Sequence, residues 1–228
     1  MDAKVKRGLN ELGVTEIVAK IAAGELTCEA VTRDCIERIA AREPIVKAWV
    51  NFNPELALAQ ARALDREPRR GLLHGVPIGV KDVIDTFDMP TQMGLPIYHG
   101  YRPLADAACV ALLRRAGAVI LGKTATCELA GMAPAATTNP HSADHTPGGS
   151  SSGSAAAVAD LMVSAALGTP DRRFGVAAIL VLRRVRLQAD LQHIQQSGAQ
   201  SRGRKHRHDR MDRTLDRGHR AANGHLAH

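Results

Sequence analysis

Leu73-His-Gly-Val-Pro-Ile-Gly-Val-Lys-Asp82 is the most informative segment for the fold, and its stretch His74–Val80 predicts a buried strand. It is short, apolar, rich in β-branched residues and bounded by glycines, which is typical of a strand covered on both faces. Lys81 and Asp82 lie at its end. A lysine in such a place is usually a solvated charge. Burial here would lower the pKa of Lys81, which would make this side chain available as a base near neutral pH.

Helices and one further strand are predicted around this segment from capping residues and from the spacing of apolar residues. Pro44 is expected to stop the second helix soon after Arg42. The alternation of helices with short apolar strands implies an α/β fold, with a mixed sheet covered by helices and preceded by N-terminal helices. The predicted elements are a helix from Thr15, its N-cap, to Ala23, a helix capped by Thr27, the helices Glu55–Leu64, Ala105–Arg115 and Ser154–Val163, the strand Ala118–Leu121, and a loop over 134–149.

A second segment, Thr146-Pro-Gly-Gly-Ser-Ser-Ser-Gly-Ser154, opens directly into an Ala-rich helix. A flexible linker has this composition, but linkers do not usually lead into a buried helix. A glycine-rich turn before a helix can also cradle a phosphate, yet the sequence lacks the GxxxxGK[ST] pattern of nucleotide-binding loops. The remaining interpretation is catalytic, because glycines allow close backbone approach and serine hydroxyls can pass a proton.

Together the two segments resemble the amidase signature family of serine-dependent amide hydrolases. The resemblance covers about residues 10–169 and includes Ala118-Val-Ile-Leu-Gly-Lys-Thr124. It implies a truncated amidase-signature fold over residues 1–169. In that family a lysine of the first segment is the base, and a serine of the second segment, joined through a cis peptide, relays the proton. A serine in a downstream GTxTGGS segment attacks the amide, and backbone N–H groups beside it form the oxyanion hole.

By match to these motifs, Lys81 would be the base and Ser150 the relay serine. The implied reaction is hydrolysis of a small carboxylic amide through an acyl-enzyme, with no metal and no organic cofactor. The A subunit of a tRNA-dependent amidotransferase shares this machinery and is an alternative, and a homodimer is the assembly considered for intact relatives. The residues expected to border the substrate are Gly148, Gly149, Ser151 and Ser152.

The match to the family ends after Gly168-Thr169. The family's spacing puts the nucleophile at position 174, which is Phe174, and the next serine, Ser197, lies too far along the chain. The Thr-Gly-Gly turn is replaced by Asp171-Arg-Arg173. The chain is therefore expected to lack the nucleophile and the oxyanion hole, and to be inactive.

One extra base in the gene near codon 170 would explain the loss. When each codon is started at its second base, codons 171–175 permit Thr-Gly-Gly-Ser, with the serine at position 174. Further along, Met211 followed by Asp212 forces a tryptophan, and codons 205–216 permit Ser-Ile-Asp-Thr-Ile-Gly-Trp-Ile-Ala-Arg-Ser-Ile, which is similar to a segment of the family. We therefore interpret residues 170–228 as an out-of-frame tail, disordered or non-native.

The charge distribution changes at the same point. The chain has a net charge of +7, but residues 170–228 carry 13 Lys and Arg against 5 Asp and Glu, whereas residues 1–169 carry 17 against 18. The basic run Arg202–Arg210 suggests an alternative, a noncatalytic nucleic-acid-binding protein. The run has no aromatic residue for base stacking, and His206 and His208 have no further ligands at zinc-like spacing. Neither a nucleic acid nor a metal is therefore expected to bind.

The sequence points to neither a membrane nor secretion. No apolar run approaches the roughly 20 residues that a membrane span requires. The segment Met1–Gly8 is charged and is not followed by the apolar core of a secretory signal. A cytoplasmic location is expected, with reduced and mostly buried thiols, because no CxxC pair occurs among Cys28, Cys35, Cys109 and Cys127.

Overall fold

The computed structural model of the protein describes residues 7–131, 133–169, 179–182 and 186–188. Over these ranges a mixed sheet is covered by helices, and two helices precede the first strand, so the α/β prediction is confirmed. Short 3-10 helices lie at Leu9–Glu11, Pro96–Tyr98 and Glu128–Ala130. The α-helices are α1 (Val14–Ala22), α2 (Cys28–Val46), α3 (Pro54–Asp65), α4 (Ala108–Arg115) and α5 (Ser152–Ala159). The strands are β1 (Trp49–Phe52), β2 (Pro77–Lys81), β3 (Val119–Thr124), β4 (Ala165–Gly168), β5 (Ile179–Leu182) and β6 (Arg186–Gln188).

The strands form one sheet in the order β1-β3-β2-β4-β5-β6. β2 pairs in parallel with β3 on one side and with β4 on the other. The outer pairs β1–β3, β4–β5 and β5–β6 are antiparallel. Every residue of β2 is buried, as its glycine-bounded apolar sequence predicts for a central strand.

Side chains alternate between the two faces of the sheet, and each face has its own core. On the first, which we call the α5 face, Val119 and Leu121 of β3 pack with residues of α2, α3 and α5. On the second, the α1 face, Val80 and Ile120 pack with Ile17 of α1 and with residues of α4. Helices therefore cover both faces of the central strands.

A one-residue shift in the β2–β3 pairing decides where two lysines lie. The shift falls between Ile78 and Gly79 and leaves Leu121 without a partner on β2. Beyond it, Val80 is opposite Lys123, and Lys81 is opposite Thr124. Cross-strand partners share a face. Lys81 therefore lies on the α5 face and Lys123 on the α1 face.

Capping was predicted correctly for α2 and wrongly for α1. The Ala30 N–H donates to Thr27 Oγ1 at 3.0 Å, so Thr27 is the N-cap of α2 as expected. The N-cap of α1 is Gly13 rather than Thr15, because the helix begins at Val14. The Glu16 carboxylate accepts the Gly13 N–H at 2.8 Å, which ties the helix start from within its first turn.

Pro44 does not stop α2, which continues to Val46. Proline removes only one backbone donor, and the final turn is still closed by the Lys47 N–H, which donates to the Glu43 carbonyl at 3.0 Å. The helix ends because Lys47 adopts a left-handed φ of 53°. The Glu43 carboxylate then accepts the N–H groups of Ala48 and Trp49, both at 2.9 Å.

The remaining element predictions were partly correct. α3 lies where it was expected, α4 begins at Ala108 rather than Ala105, and β3 continues past Leu121 to Thr124. Residues 134–149 contain no helix or strand. The last helix was misplaced, because α5 begins at Ser152 and ends at Ala159. Strands β1, β4, β5 and β6 were not predicted, and β5 and β6 lie within the segment 170–228 that was expected to be disordered or non-native.

The four cysteines all lie in the described part of the chain and form no disulfide, with Cys28 and Cys35 buried and Cys109 and Cys127 half-buried. None of the described helices is both long enough and apolar enough to cross a bilayer. The boundary near residue 170 stays a prediction. Residues 170–178, 183–185 and 189–228 lie outside the described residues.

Candidate active site

Lys81, the last residue of β2, has a side chain that is 0% exposed. Its Nζ donates to Ser150 Oγ and to Thr169 Oγ1, both at 2.6 Å. Burial lowers the pKa of Lys81 from 10.5 to about 8, and the nearby Cys127 acts in the opposite direction. A lysine with this pKa is partly neutral just above neutral pH, so it can accept a proton from a bound hydroxyl.

Ser150 lies in the glycine- and serine-rich segment directly before α5 that the sequence singled out. The Gly149–Ser150 peptide bond is cis, as the resemblance implies. The Ser150 carbonyl accepts the Cys127 N–H at 3.1 Å, which fixes the backbone of the segment against the end of β3. Ser150 is partly exposed, and Gly148 and Gly149 before it are exposed. The hydroxyl is therefore held by a buried lysine, although Ser150 itself keeps some exposed surface.

Thr169 is the second partner of Lys81 and was not predicted from the sequence. Its N–H donates to Ser151 Oγ at 3.1 Å, and the Ser151 hydroxyl donates back to the Thr169 carbonyl at 3.3 Å. These two bonds tie the end of β4 to the start of α5. The sequence did contain a signal for Thr169. Gly168-Thr169 is the start of the family's GTxTGGS segment, and the match to the family ends directly after it.

Ser154 fixes α5 against the sheet. Its hydroxyl donates to the Leu167 carbonyl at 2.8 Å and lies 2.7 Å from Thr124 Oγ1, which then donates to it. The Gly153 N–H also donates to the Ala125 carbonyl at 3.0 Å. Bonds to β3, to β4 and to the residue after β3 therefore hold the start of α5, and with it the segment that carries Ser150.

Gly153 cannot carry a side chain at this contact. A Cβ on Gly153 would lie 2.3 Å from both the Ala125 nitrogen and the Ala48 carbonyl oxygen, and both are backbone atoms. We expect Gly153→Ala to lower the free energy of unfolding by about 2 kcal/mol, because the backbone must move to relieve the overlap. Urea denaturation measures the change.

The matched control for this substitution is Gly13→Ala, where a Cβ would meet only the flexible Glu16 side chain at 3.4 Å. It should cost less than about 1 kcal/mol. Equal effects of the two substitutions would show that the contact around Gly153 is not tight.

The residues expected to border a substrate lie at different depths. Gly148 and Gly149 are exposed, whereas Ser151 is half-buried and bonded to Thr169. Ser152 is buried, and its hydroxyl has no hydrogen-bond partner among the described residues. Their contact with a substrate stays a prediction.

The expected nucleophile position, Phe174, and the replaced turn at residues 171–173 lie outside the described residues. The catalytic roles of Lys81 and Ser150 also stay predictions. Within the described ranges, no group of three or more His, Cys, Asp or Glu side chains is arranged to hold a metal ion.

A second buried lysine lies on the opposite face of the sheet. Lys123 Nζ is 3.5 Å from an Asp82 carboxylate oxygen and donates to Thr91 Oγ1 at 2.6 Å. Burial lowers the pKa of Lys123, and the Asp82 carboxylate opposes that shift. The same carboxylate accepts the Gln92 N–H at 3.1 Å, so the pair anchors the loop after β2. Lys123 belongs to the quoted family segment, but its sequence gave no sign of this partner.

The sequence profile of the Amidase family matches residues 30–170, which is more than half of the chain. The chain belongs to the amidase family. The matched range includes Lys81, Ser150 and Thr169, so the hydrogen-bonded site lies within the part of the chain that is shared with the family.

Individual relatives agree with this membership. The A subunit of the glutamyl-tRNA(Gln) amidotransferase from Chloroflexus aggregans is 45% identical over 171 residues, which cover 71% of this chain and 35% of that protein. The structure of the peptide amidase from Stenotrophomonas maltophilia is 40% identical, with a TM-score of 0.65 over 70% of this chain and 36% of that one. An amidase family protein from Bacillus anthracis is 30% identical, with a TM-score of 0.65 over 70% and 35%. This chain therefore spans about a third of the length of the relatives it matches.

Proposed function

We propose that this chain carries the base and the proton relay of an amide hydrolase that works through an acyl-enzyme, with a small carboxylic amide as substrate. Lys81 is the base and Ser150 is the relay. The observation that carries the proposal is the 2.6 Å hydrogen bond between Lys81 Nζ and Ser150 Oγ, made by a lysine with no exposed surface. Membership in the amidase family supports the reaction class.

The geometry supports a defined proton path. Neutral Lys81 accepts the Ser150 hydroxyl proton, and Ser150 Oγ accepts a proton from the serine that attacks the amide carbon. Ser150 then gives a proton to the leaving amine and takes one back from the Lys81 ammonium. Thr169 Oγ1 keeps Lys81 Nζ in place, because it holds the nitrogen at the same 2.6 Å as Ser150 does. The path uses no metal and no organic cofactor.

The attacking serine is the part that this sequence does not supply. The family spacing falls on Phe174, whose side chain has no nucleophilic atom. Nucleophile, base and oxyanion donors act as a unit, so loss of one removes most of the rate enhancement. We expect no release of ammonia above background when the purified 228-residue chain is incubated with simple carboxylic amides.

The control is the Lys81→Ala variant, which should give the same background rate. If the parent chain hydrolyses amides and Lys81→Ala abolishes the reaction, another residue must attack the carbonyl carbon. That result would refute the assignment of the missing nucleophile and would leave the assignment of the base intact.

A second candidate function is that of the A subunit of a tRNA-dependent amidotransferase. The relative that supports it is the 45% identical A subunit of glutamyl-tRNA(Gln) amidotransferase. In this candidate function the chain works together with partner subunits, whereas a free-standing amidase does not require them. Co-purification of the tagged chain with the other amidotransferase subunits from its native cells would favour this candidate.

A further inference from the structure

We propose that Ser150 is itself a nucleophile in this chain, and that the Lys81–Ser150 pair accepts acyl groups from activated esters. In the proposed function Ser150 only passes a proton on to another serine. The inference goes beyond that role, but it rests on the same assignment of Lys81 as the base.

The contact between the two side chains is the first support. A serine hydroxyl 2.6 Å from the nitrogen of a buried lysine has the geometry of a serine–lysine nucleophile and base. Thr169 Oγ1 holds the same nitrogen at 2.6 Å, so Lys81 remains directed at Ser150 when no third group is bound. A serine at position 174 would pass its proton to Ser150 and act as the nucleophile in its place, but the chain has Phe174 there.

Access and local charge are the second support. Ser150 is partly exposed, and the two residues before it are exposed glycines that carry no side chains. Helix α5 begins at Ser152, two residues further on. The positive end of the helix dipole therefore lies beside Ser150, where negative charge develops on the oxygen of an attacked carbonyl.

The reaction step with p-nitrophenyl acetate balances without a further reagent. Lys81 Nζ takes the Ser150 hydroxyl proton while Oγ forms a bond to the acetyl carbon. The tetrahedral intermediate collapses, the bond to the phenolic oxygen breaks, and p-nitrophenolate leaves with the electron pair. The Lys81 ammonium then loses its proton to solvent, and the product is acetyl-Ser150. An amide would instead require a proton on its leaving nitrogen, which explains why activated esters are the expected class.

Other groups near Lys81 could imitate this reactivity. The Cys127 thiol is half-buried, influences the pKa of Lys81, and lies close enough to Gly149 that a Cβ there would be 2.8 Å from Sγ. Asp82 follows Lys81 in sequence, but its carboxylate pairs with Lys123 on the α1 face. The experiment therefore uses the parent chain and, beside it, a Cys127→Ser variant in which this thiol cannot react.

The test is incubation of the full chain with p-nitrophenyl acetate, followed by release of p-nitrophenolate and peptide mass spectrometry. We expect stoichiometric acetylation at Ser150, with a rate that rises through about pH 8. Ser150→Ala and Lys81→Met should each lower this rate by on the order of 10²-fold or more. Ser142→Ala, which changes a loop serine bonded to His145, should leave the rate unchanged.

Acetylation of Cys127, of Lys81 or of another serine, with Ser150 unmodified, would overturn the inference. This readout uses the parent chain and does not depend on the folding of any variant. The pKa of Lys81, measured by NMR on a chain with labelled lysines, separates the two proposals. A lowered pKa without acetylation of Ser150 refutes only the nucleophile, whereas an ordinary lysine pKa refutes the base and with it both proposals.

Discussion

Deletion of one base near codon 170 is expected to convert an inactive chain into an active amidase. The shifted frame permits Thr-Gly-Gly-Ser, with the serine at position 174 in place of Phe174. The glycines would restore the close backbone approach from which an oxyanion hole is built, and such donors typically supply about 3–4 kcal/mol of transition-state stabilisation. Ammonia release from simple amides, measured on both proteins, gives the gain in rate.

The Lys81→Met variant of the reframed protein is the control for this gain. It should lower kcat/KM by on the order of 10⁴-fold, because the relay has no base without the lysine. Resequencing the gene tests the premise directly. A restored frame that has no serine at position 174, or that stops before codon 228, would refute the proposed extra base.

Lys81 should make the stability of the fold depend on pH between about 8 and 10.5. In this range the unfolded chain still holds a proton on Lys81 that the folded chain has lost. The unfolded state therefore binds more protons, and the free energy of unfolding rises with pH. The full rise is about 3 kcal/mol, from a pKa lowered from 10.5 to about 8.

The measurement is urea denaturation across this pH range for the parent and for Lys81→Met. The variant should lose the rise that Lys81 contributes, and the difference between the two curves removes the effect of other groups. Thr169→Val is the matched control, because it removes one partner of Lys81 but keeps the lysine, so the rise should persist. Identical slopes for the parent and Lys81→Met would show that Lys81 keeps an ordinary pKa when folded.

The fold was predictable where local signals agree with the final packing. Strand β2 was found because it is apolar, bounded by glycines and buried on both faces. Strand β1 was missed because Trp49–Phe52 has only four residues and mixes one buried position with exposed and half-buried ones. The end of α2 was misplaced because the sequence does not show that Glu43 accepts two N–H groups beyond Pro44. That bond network depends on the tertiary position of β1.

The site was predictable in its parts, but its connections were not. Lys81 and Ser150 stand out by sequence because each lies in a recognisable segment. The structure brings the two residues together although 69 positions separate them in the chain. Thr169 was missed because a threonine at a strand end is an ordinary residue until its neighbours are known. The Asp82–Lys123 pair was missed for a different reason. Which face Lys123 occupies depends on the shift in pairing, which sequence alternation does not reveal.

The same shift also disfavours a misfolded alternative. If β3 paired with β2 in a straight register, Leu121 would stand opposite Gly79, and Lys123 would stand directly opposite Lys81. Two lysines would then compete for one buried space on a single face, and Asp82 would be left without its cation, which is strongly destabilising. Repulsion between the two lysine ammonium groups would destabilise the straight register more than the native register, in which the lysines lie on opposite faces. We therefore expect the two lysines to contribute to folding specificity, since each has its partners only on its own side of the sheet.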